Sequence, residues 1–222
     1  MLGEVIPHAG CQALYHLEAD GTDSSGNGLH LTMQPSAQFA TGKFGNGLSD
    51  NDNKWAYNWA DHGVDLRTNV FGISFWFKLS YQPGSGYGYE YILWRGRYGT
   101  HPDYTYRFVR ITYCMPSGEP YQIQLQVNQS YGTLALFTAT LGRWYKCDVT
   151  SDGTYNYLYI NGVQYIKQEP GIYGSTYSSS ISIFGNGPES IPGMMDEVAF
   201  FNYHRTEQDI ARQYAFDVGM ML

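Results

Sequence analysis

The sequence predicts an all-β fold, a two-sheet antiparallel jelly-roll sandwich with a short C-terminal helix. Three observations predict it. Short runs rich in β-branched and aromatic residues recur along most of the chain, bounded by Gly, Pro, Asn and Ser. Glycine reaches 26 residues, where an ordinary usage of about 7% would place roughly 16, and the excess supplies turns. Helical spacing shows in a segment near the C-terminus. At 222 residues the chain matches the roughly 200–250 residues of one sandwich. No internal repeat, low-complexity tract or linker divides it, so one domain over residues 1–222 is expected.

The elements follow in order. Residues 73–79, 91–95 and 106–113 are strands by their β-branched and aromatic content. Alternation is clearest over 121–127, where Tyr121, Ile123, Leu125 and Val127 face one way and the intervening Gln residues the other, as in a half-buried strand. Residues 133–139 and 144–150 are further strands. Residues 155–167 form a hairpin, because Asn161 and Gly162 suit the two positive-φ positions of a type I′ turn. In that register Ile160 pairs with Val163 and Leu158 with Tyr165 on the core side. Tyr155, Tyr157 and Tyr159 then form a stripe on the opposite face. Strands at 179–184 and 195–202 complete the set. Thr206 N-caps a helix in which Asp209 answers as a capping box, and Ile210, Ala211 and Tyr214 share one face.

Composition excludes several classes. A net charge of −7 argues against nucleic acid, which needs a basic footprint. Arg95, Arg97, Arg107 and Arg110 cluster in sequence, but ordinary pairing or stacking over rings accounts for them. No apolar run reaches the length of about 18 residues that membrane insertion requires, and the N-terminus shows no secretory signal. The three cysteines Cys11, Cys114 and Cys147 have no metal or redox spacing and are expected to be reduced. The Asn128-Gln-Ser130 sequon is incidental without secretion. Aromatics make up 17% of the chain, led by 21 Tyr. Two stretches, 81–90 and 97–104, combine Tyr with Gly and Ser and have no periodicity. They are loops with the composition of recognition surfaces, in which rigid rings give contact area at low entropy cost.

The motifs along the chain resemble one family. Ala-Leu-Tyr-His-Leu-Glu at 13–18 precedes Asp-Ser-Ser-Gly-Asn-Gly-Leu at 23–29, and Gly-Lys-Phe-Gly-Asn-Gly-Leu follows at 42–48. Phe-Gly-Ile-Ser-Phe-Trp-Phe-Lys-Leu occupies 71–79, and Gly-Arg-Trp-Tyr-Lys-Cys-Asp-Val-Thr with a later Asp-Gly occupies 142–153. Gly-Met-Met-Asp-Glu-Val at 193–198 runs into the helix. Together, from about 12 to 214, these resemble laminin G-like domains of the concanavalin A-like superfamily. The resemblance implies the sandwich, and it makes Cys147 a buried thiol. It also makes Asp23 and Asp196 candidates for a structural calcium ion and Glu189 a candidate for a rim calcium, although no cofactor is required.

The same superfamily hosts laminarinase-type glucanases, so hydrolysis needs a test. A retaining pair of carboxyl groups stands about 5–5.5 Å apart, which on one strand requires acids at alternate positions. No two Glu residues lie within four positions. Asp50 and Asp52 sit in a polar loop, and the adjacent Asp196 and Glu197 face opposite ways on an alternating strand. No Gly-x-Ser-x-Gly elbow accompanies the scattered His residues. The chain is therefore expected not to be an enzyme. The alternative is a polysaccharide hydrolase or lyase whose acids, such as Glu90, Asp103 and Glu119, converge from separate strands.

The expected function is non-catalytic recognition of a glycan or protein surface, with Tyr87, Tyr89, Trp94 and Tyr98 as ligand-binding residues. Tyr155, Tyr157, Tyr159, Met220 and Leu222 are the expected interface with a second copy of the chain or a virion protein partner. Laminin G-like domains work mostly on outer surfaces, so a virion, such as a phage capsid decoration or tail component, or another extracellular-facing surface is the expected location.

Overall fold

The computed structural model describes residues 9–33, 37–50, 56–58, 70–80, 90–96, 109–114, 122–127, 137–168, 180–183 and 193–220. In chain order the strands are β1 (Cys11–Tyr15), β2 (Gln38–Thr41), β3 (Asn46–Asp50), β4 (Ala56–Asn58), β5 (Val70–Leu79), β6 (Glu90–Gly96) and β7 (Val109–Cys114). They continue with β8 (Gln122–Val127), β9 (Trp144–Asp152), β10 (Asn156–Ile160), β11 (Val163–Gln168), β12 (Ser180–Ile183) and β13 (Gly193–Phe201), and helix α1 (Glu207–Asp217) follows. Two antiparallel sheets result. The larger runs β11-β10-β9-β5-β13-β3-β2, with β1 also on β13, and the smaller runs β4-β12-β6-β7-β8.

Period-two alternation decides what each face of the larger sheet holds. Phe71, Ile73, Phe75, Phe77 and Leu79 of β5 join the main core with Tyr145, Cys147 and Val149 of β9 and with Leu158 and Ile160 of β10. The residues between them, Ser74, Trp76, Lys146, Asp148 and Thr150, are polar or amphipathic and equally buried. They are buried because α1 and the segment before it lie over the outer face. The Tyr214 ring stacks on Trp76 at 6.0 Å, and Asp217 accepts hydrogen bonds from both the Trp76 indole and the Lys146 ammonium. Thr206 and Asp209 form the expected capping box, Ile210 is fully buried, and Ala211 remains exposed.

Two sequence expectations change. Asn161 and Gly162 do take positive φ, 53° and 77°, and Ile160 pairs with Val163. Leu158, however, pairs with Ile166 rather than Tyr165, because a bulge between Leu158 and Tyr159 shifts the register. Ile166 is therefore in the core, while Val163 and Tyr165 are 60% and 40% exposed. The strands β2, β3 and β4 were not expected. They are short, and glycine interrupts the β2–β3 pair, so no alternation announces them.

Candidate functional site

β13 is the strand on which the sequence motifs meet. Its first residues pair with β3 and its last with β1, so two short strands share one edge of it end to end. At the seam its pairing with β5 shifts between Asp196 and Ala199, and Glu197 takes a φ of 53°. A left-handed Glu costs about 1–3 kcal/mol and persists only where its surroundings over-determine it. They do so here. Asp196 Oδ2 accepts the backbone N–H groups of Lys43 and Phe44 at 2.8 and 2.9 Å, holding the β2–β3 turn. Glu197 Oε1 lies 2.8 Å from His16 Nδ1, just beyond β1. The bulge thus breaks the strict alternation on which the sequence reading of Asp196 and Glu197 relied.

The glycines around the seam follow from its tightness. A Cβ on Gly42 would stand 2.6 Å from Asp196 Oδ2, and one on Gly47 would stand 2.8 Å from the Met195 carbonyl oxygen. Asp196 is fully buried and its Oδ1 has no hydrogen-bond partner. Burial, and secondarily the charge of Glu197, push its carboxyl up to about 7, although the Phe44 and Lys43 N–H groups pull the other way.

Asp23 has a different role. Its Oδ1 accepts the N–H of Leu14 and Ser25, and its Oδ2 accepts the N–H of Leu29 and the hydroxyl of Ser25. Burial alone would raise its carboxyl, but these N–H donors hold it below the usual range. Both carboxylates therefore anchor turns. Glu189 lies outside the described residues, and among those described no group of three or more His, Cys, Asp or Glu is placed to hold a metal ion.

The outer face of the larger sheet carries two buried ion pairs absent from the sequence reading. Lys146 and Asp217 meet at 2.7 Å with both side chains fully buried. Arg205, whose backbone N–H is accepted by Thr150, pairs with Asp148. These pairs fasten α1 and its approach to the sheet. The one local hint is that Lys146, Asp148 and Thr150 alternate with apolar neighbours in β9.

The tyrosine stripe is a ladder of rings. Tyr155 and Tyr157 lie 6.2 Å apart, Tyr157 and Tyr159 lie 6.4 Å apart, and the Lys167 ammonium sits 4.0 Å above the Tyr155 ring. Tyr155 and Tyr157 are half-buried and Met220 is exposed. Tyr159 is buried, so as an interface residue it is corrected: beneath the outer layer it has only 2% exposure. Burial, with the charges of Glu207 and Asp148, pushes its phenol up to about 12. The opposite face of the same edge presents a second aromatic group. Phe137 packs edge-on against Tyr145 at 4.9 Å and against Tyr165 at 5.3 Å, and the Arg143 guanidinium lies 5.5 Å over Tyr145. The sequence reading missed this group, because the bulge that exposes Tyr165 has no local signature.

Of the expected ligand residues, Trp94 lies in the middle of β6, paired with Arg110 of β7 and Ser182 of β12. Tyr87, Tyr89 and Tyr98 lie outside the described residues, as does Leu222. The segments carrying the three tyrosines attach to opposite ends of β6, which seven residues at about 3.3 Å per step set about 20 Å apart.

A family model of the concanavalin A-like lectin/glucanases superfamily, laminin G type, matches residues 50–211. No curated protein matches by sequence. Among similar solved structures is domain 4 of AbnA, a GH43 extracellular arabinanase from Geobacillus stearothermophilus, in complex with arabinotriose. It has a TM-score of 0.68 at 16% identity, over 92% of this chain and 98% of that one. The binding domain of Paraclostridial Mosquitocidal Protein 1 gives 0.67 at 14% identity, over 92% of this chain and 52% of that one. Trypanosoma rangeli sialidase gives 0.70 at 14% identity, over 99% of this chain and 36% of that one. The chain thus spans nearly all of the first, about half of the second and about a third of the third.

These similarities correct the expectation that the chain is not an enzyme, since the fold occurs within an arabinanase and a sialidase. The exclusion had rested on the spacing of acids along single strands. A sandwich joins residues far apart in sequence, as Asp148 meets Arg205 across 57 positions, so local spacing cannot exclude a converged pair. Among the described residues no helix is long and apolar enough to cross a membrane.

Proposed function

The chain belongs to the concanavalin A-like lectin/glucanase superfamily, and on that premise we propose that it recognises glycan chains from an outward-facing surface. The observation that carries this reading is the likeness, over 98% of its length, to an arabinanase domain solved with arabinotriose. The residue chemistry agrees with it. Sugar rings present C–H faces that stack on Tyr and Trp, and their hydroxyls take hydrogen bonds from a few convergent polar groups. Trp94, with Tyr87, Tyr89 and Tyr98 in the flanking segments, supplies the rings. A glycan array on the full chain, repeated with Trp94→Ala and Tyr98→Ala, tests the reading. Loss of signal in either variant supports it, and binding indifferent to every one of these aromatics refutes the site.

A second reading, polysaccharide cleavage, is favoured by the likeness to an arabinanase and a sialidase. Its acids would come from separate parts of the chain, with Glu90 at the start of β6 and Asp103 and Glu119 outside the described residues. Release of reducing ends from arabinan or β-glucan, abolished by one carboxylate substitution, would establish it. Attachment to a protein partner belongs to the same proposal, whether a second copy or a virion component. It rests on Tyr155, Tyr157 and Met220 standing at the surface. A monodisperse monomer in light scattering would rule out the second copy.

A further inference from the structure

The outer face of the larger sheet is only partly covered. Tyr159 is buried, but the cover stops at His204, whose ring lies 5.4 Å from Tyr157 and whose Nδ1 meets Thr150 Oγ1 at 3.1 Å. Beyond it Tyr155 and Tyr157 stay half-buried, and Lys167 and Asp152 are exposed. These four residues come from three adjacent strands. β10 carries Tyr157, with Tyr155 just before it, β11 on one side brings Lys167 as the register partner of Tyr157, and β9 on the other side ends at Asp152. An ammonium therefore stands on one side of the rings and a carboxylate on the other. Lys167 Nζ lies 4.0 Å from the Tyr155 ring centroid and 5.7 Å from that of Tyr157. Asp152 Oδ2 accepts the Tyr157 hydroxyl at 2.7 Å, and its Oδ1 accepts the N–H groups of Thr154 and Tyr155. Among the described residues neither charge has an ion-pair partner.

Such a surface is complementary to itself. Resting on the partner-attachment reading above, we infer that it is the contact between two copies of this chain, packed face to face about a two-fold axis parallel to β10. Rotation about that axis keeps each position along the strand and exchanges the β9 side for the β11 side. It sets Lys167 of one copy against the partner's Asp152, and an isologous contact contains that pair twice, with four tyrosine rings between. Both charges stand at the level of Tyr155, so the axis needs no offset along the strand. The Asp152 N–H bonds the Tyr155 carbonyl at 3.2 Å, and Lys167 lies over the Tyr155 ring. Charge selects the second copy as occupant. The chain carries −7, so its copies repel unless the contact itself supplies opposite charges, and this face supplies one of each. Three strands at about 4.8 Å spacing span only about 10 Å, so the contact is small and the dimer a weak one.

Sedimentation equilibrium of the full chain, from about 10 μM to about 1 mM, tests the contact and should show a reversible monomer–dimer equilibrium. Lys167→Glu sets carboxylates against each other at two places in the dimer and should weaken it by about tenfold or more. Adding Asp152→Asn removes that repulsion, while an amide oxygen still accepts the Thr154 and Tyr155 N–H groups. The double variant should therefore dimerise more tightly than Lys167→Glu alone. Mixing Lys167→Glu with Asp152→Lys should give a heterodimer tighter than either variant forms with itself, a result particular to a contact that exchanges the two positions between copies. Tyr157→Ala should weaken the dimer by about tenfold or more, and Arg143→Ala, on the opposite face, should leave it unchanged. Melting curves separate a lost contact from a lost fold, and if Asp152→Lys does not fold the double variant carries the test. A dimer indifferent to Lys167→Glu and to Tyr157→Ala overturns this contact while leaving a second copy as the partner. A monomer at every concentration overturns both, and the glycan array reads glycan recognition independently of either.

Discussion

Replacing Asp196 with Asn should stabilise the protein at neutral pH, and the gain should disappear in acid. The side chain is fully buried, Oδ2 accepts two backbone N–H groups, and Oδ1 has no partner. Its carboxyl is raised from an ordinary 3.8 to about 7. A carboxyl raised on folding makes the folded state the one that keeps its proton. Its contribution is therefore full below 3.8 and is lost as the pH climbs through about 7. At about 1.4 kcal/mol per pH unit, the loss amounts to about 4 kcal/mol. Asn cannot ionise, yet it retains a carbonyl oxygen for the Lys43 and Phe44 N–H groups. The stability difference, variant minus parent, should thus grow by about 4 kcal/mol between pH 3.8 and about 7. Urea denaturation of both proteins across that window measures it, and groups such as His204 titrate in both and cancel. A difference that stays constant, or that grows toward acid, would refute the reasoning.

Asp217→Ala should destabilise by about 3–5 kcal/mol, because it strands a buried Lys146 ammonium and removes the acceptor of the Trp76 indole. The double variant Lys146→Met/Asp217→Ala should recover much of that loss in chemical denaturation, and no recovery would mean the pair is not what holds α1. Gly45→Ala should cost more than Gly142→Ala. Both take positive φ, worth about 1–2 kcal/mol, but a Cβ on Gly45 would stand 2.2 Å from Glu18 Oε1 and displace the carboxylate that accepts the Asn46 N–H, whereas one on Gly142 meets nothing within 4 Å. Equal melting temperatures would contradict this. Cys147 is fully buried, and burial holds its thiol well above the ordinary range, so iodoacetamide should leave it unmodified until the protein unfolds. Peptide mass spectrometry after native labelling checks this, and labelling at the rate of a free thiol would be the contrary result.

What the sequence by itself determined lies within a few residues of each signal. The Asn161–Gly162 turn, the Thr206–Asp209 capping box and the strands β8 and β9 depend on neighbours in the chain, so composition and spacing disclosed them. The motif likeness went further, since a whole set of such local signals identifies a fold even where each alone is weak. Only the tertiary structure decided what those motifs are for. The Asp-Glu pair of β13 works because Lys43 and Phe44 arrive from more than 150 positions away and His16 from 181. Lys146 is tolerated inside only because Asp217 arrives from 71 positions on. Two bulges, at Leu158–Tyr159 and at Asp196–Ala199, reset which residues face the core, exposing Tyr165 and placing two carboxylates at one seam. A bulge is chosen by the fit of strands from distant parts of the chain. It minimises the energy of the assembled sheet, and a residue's own neighbours carry no record of that sum.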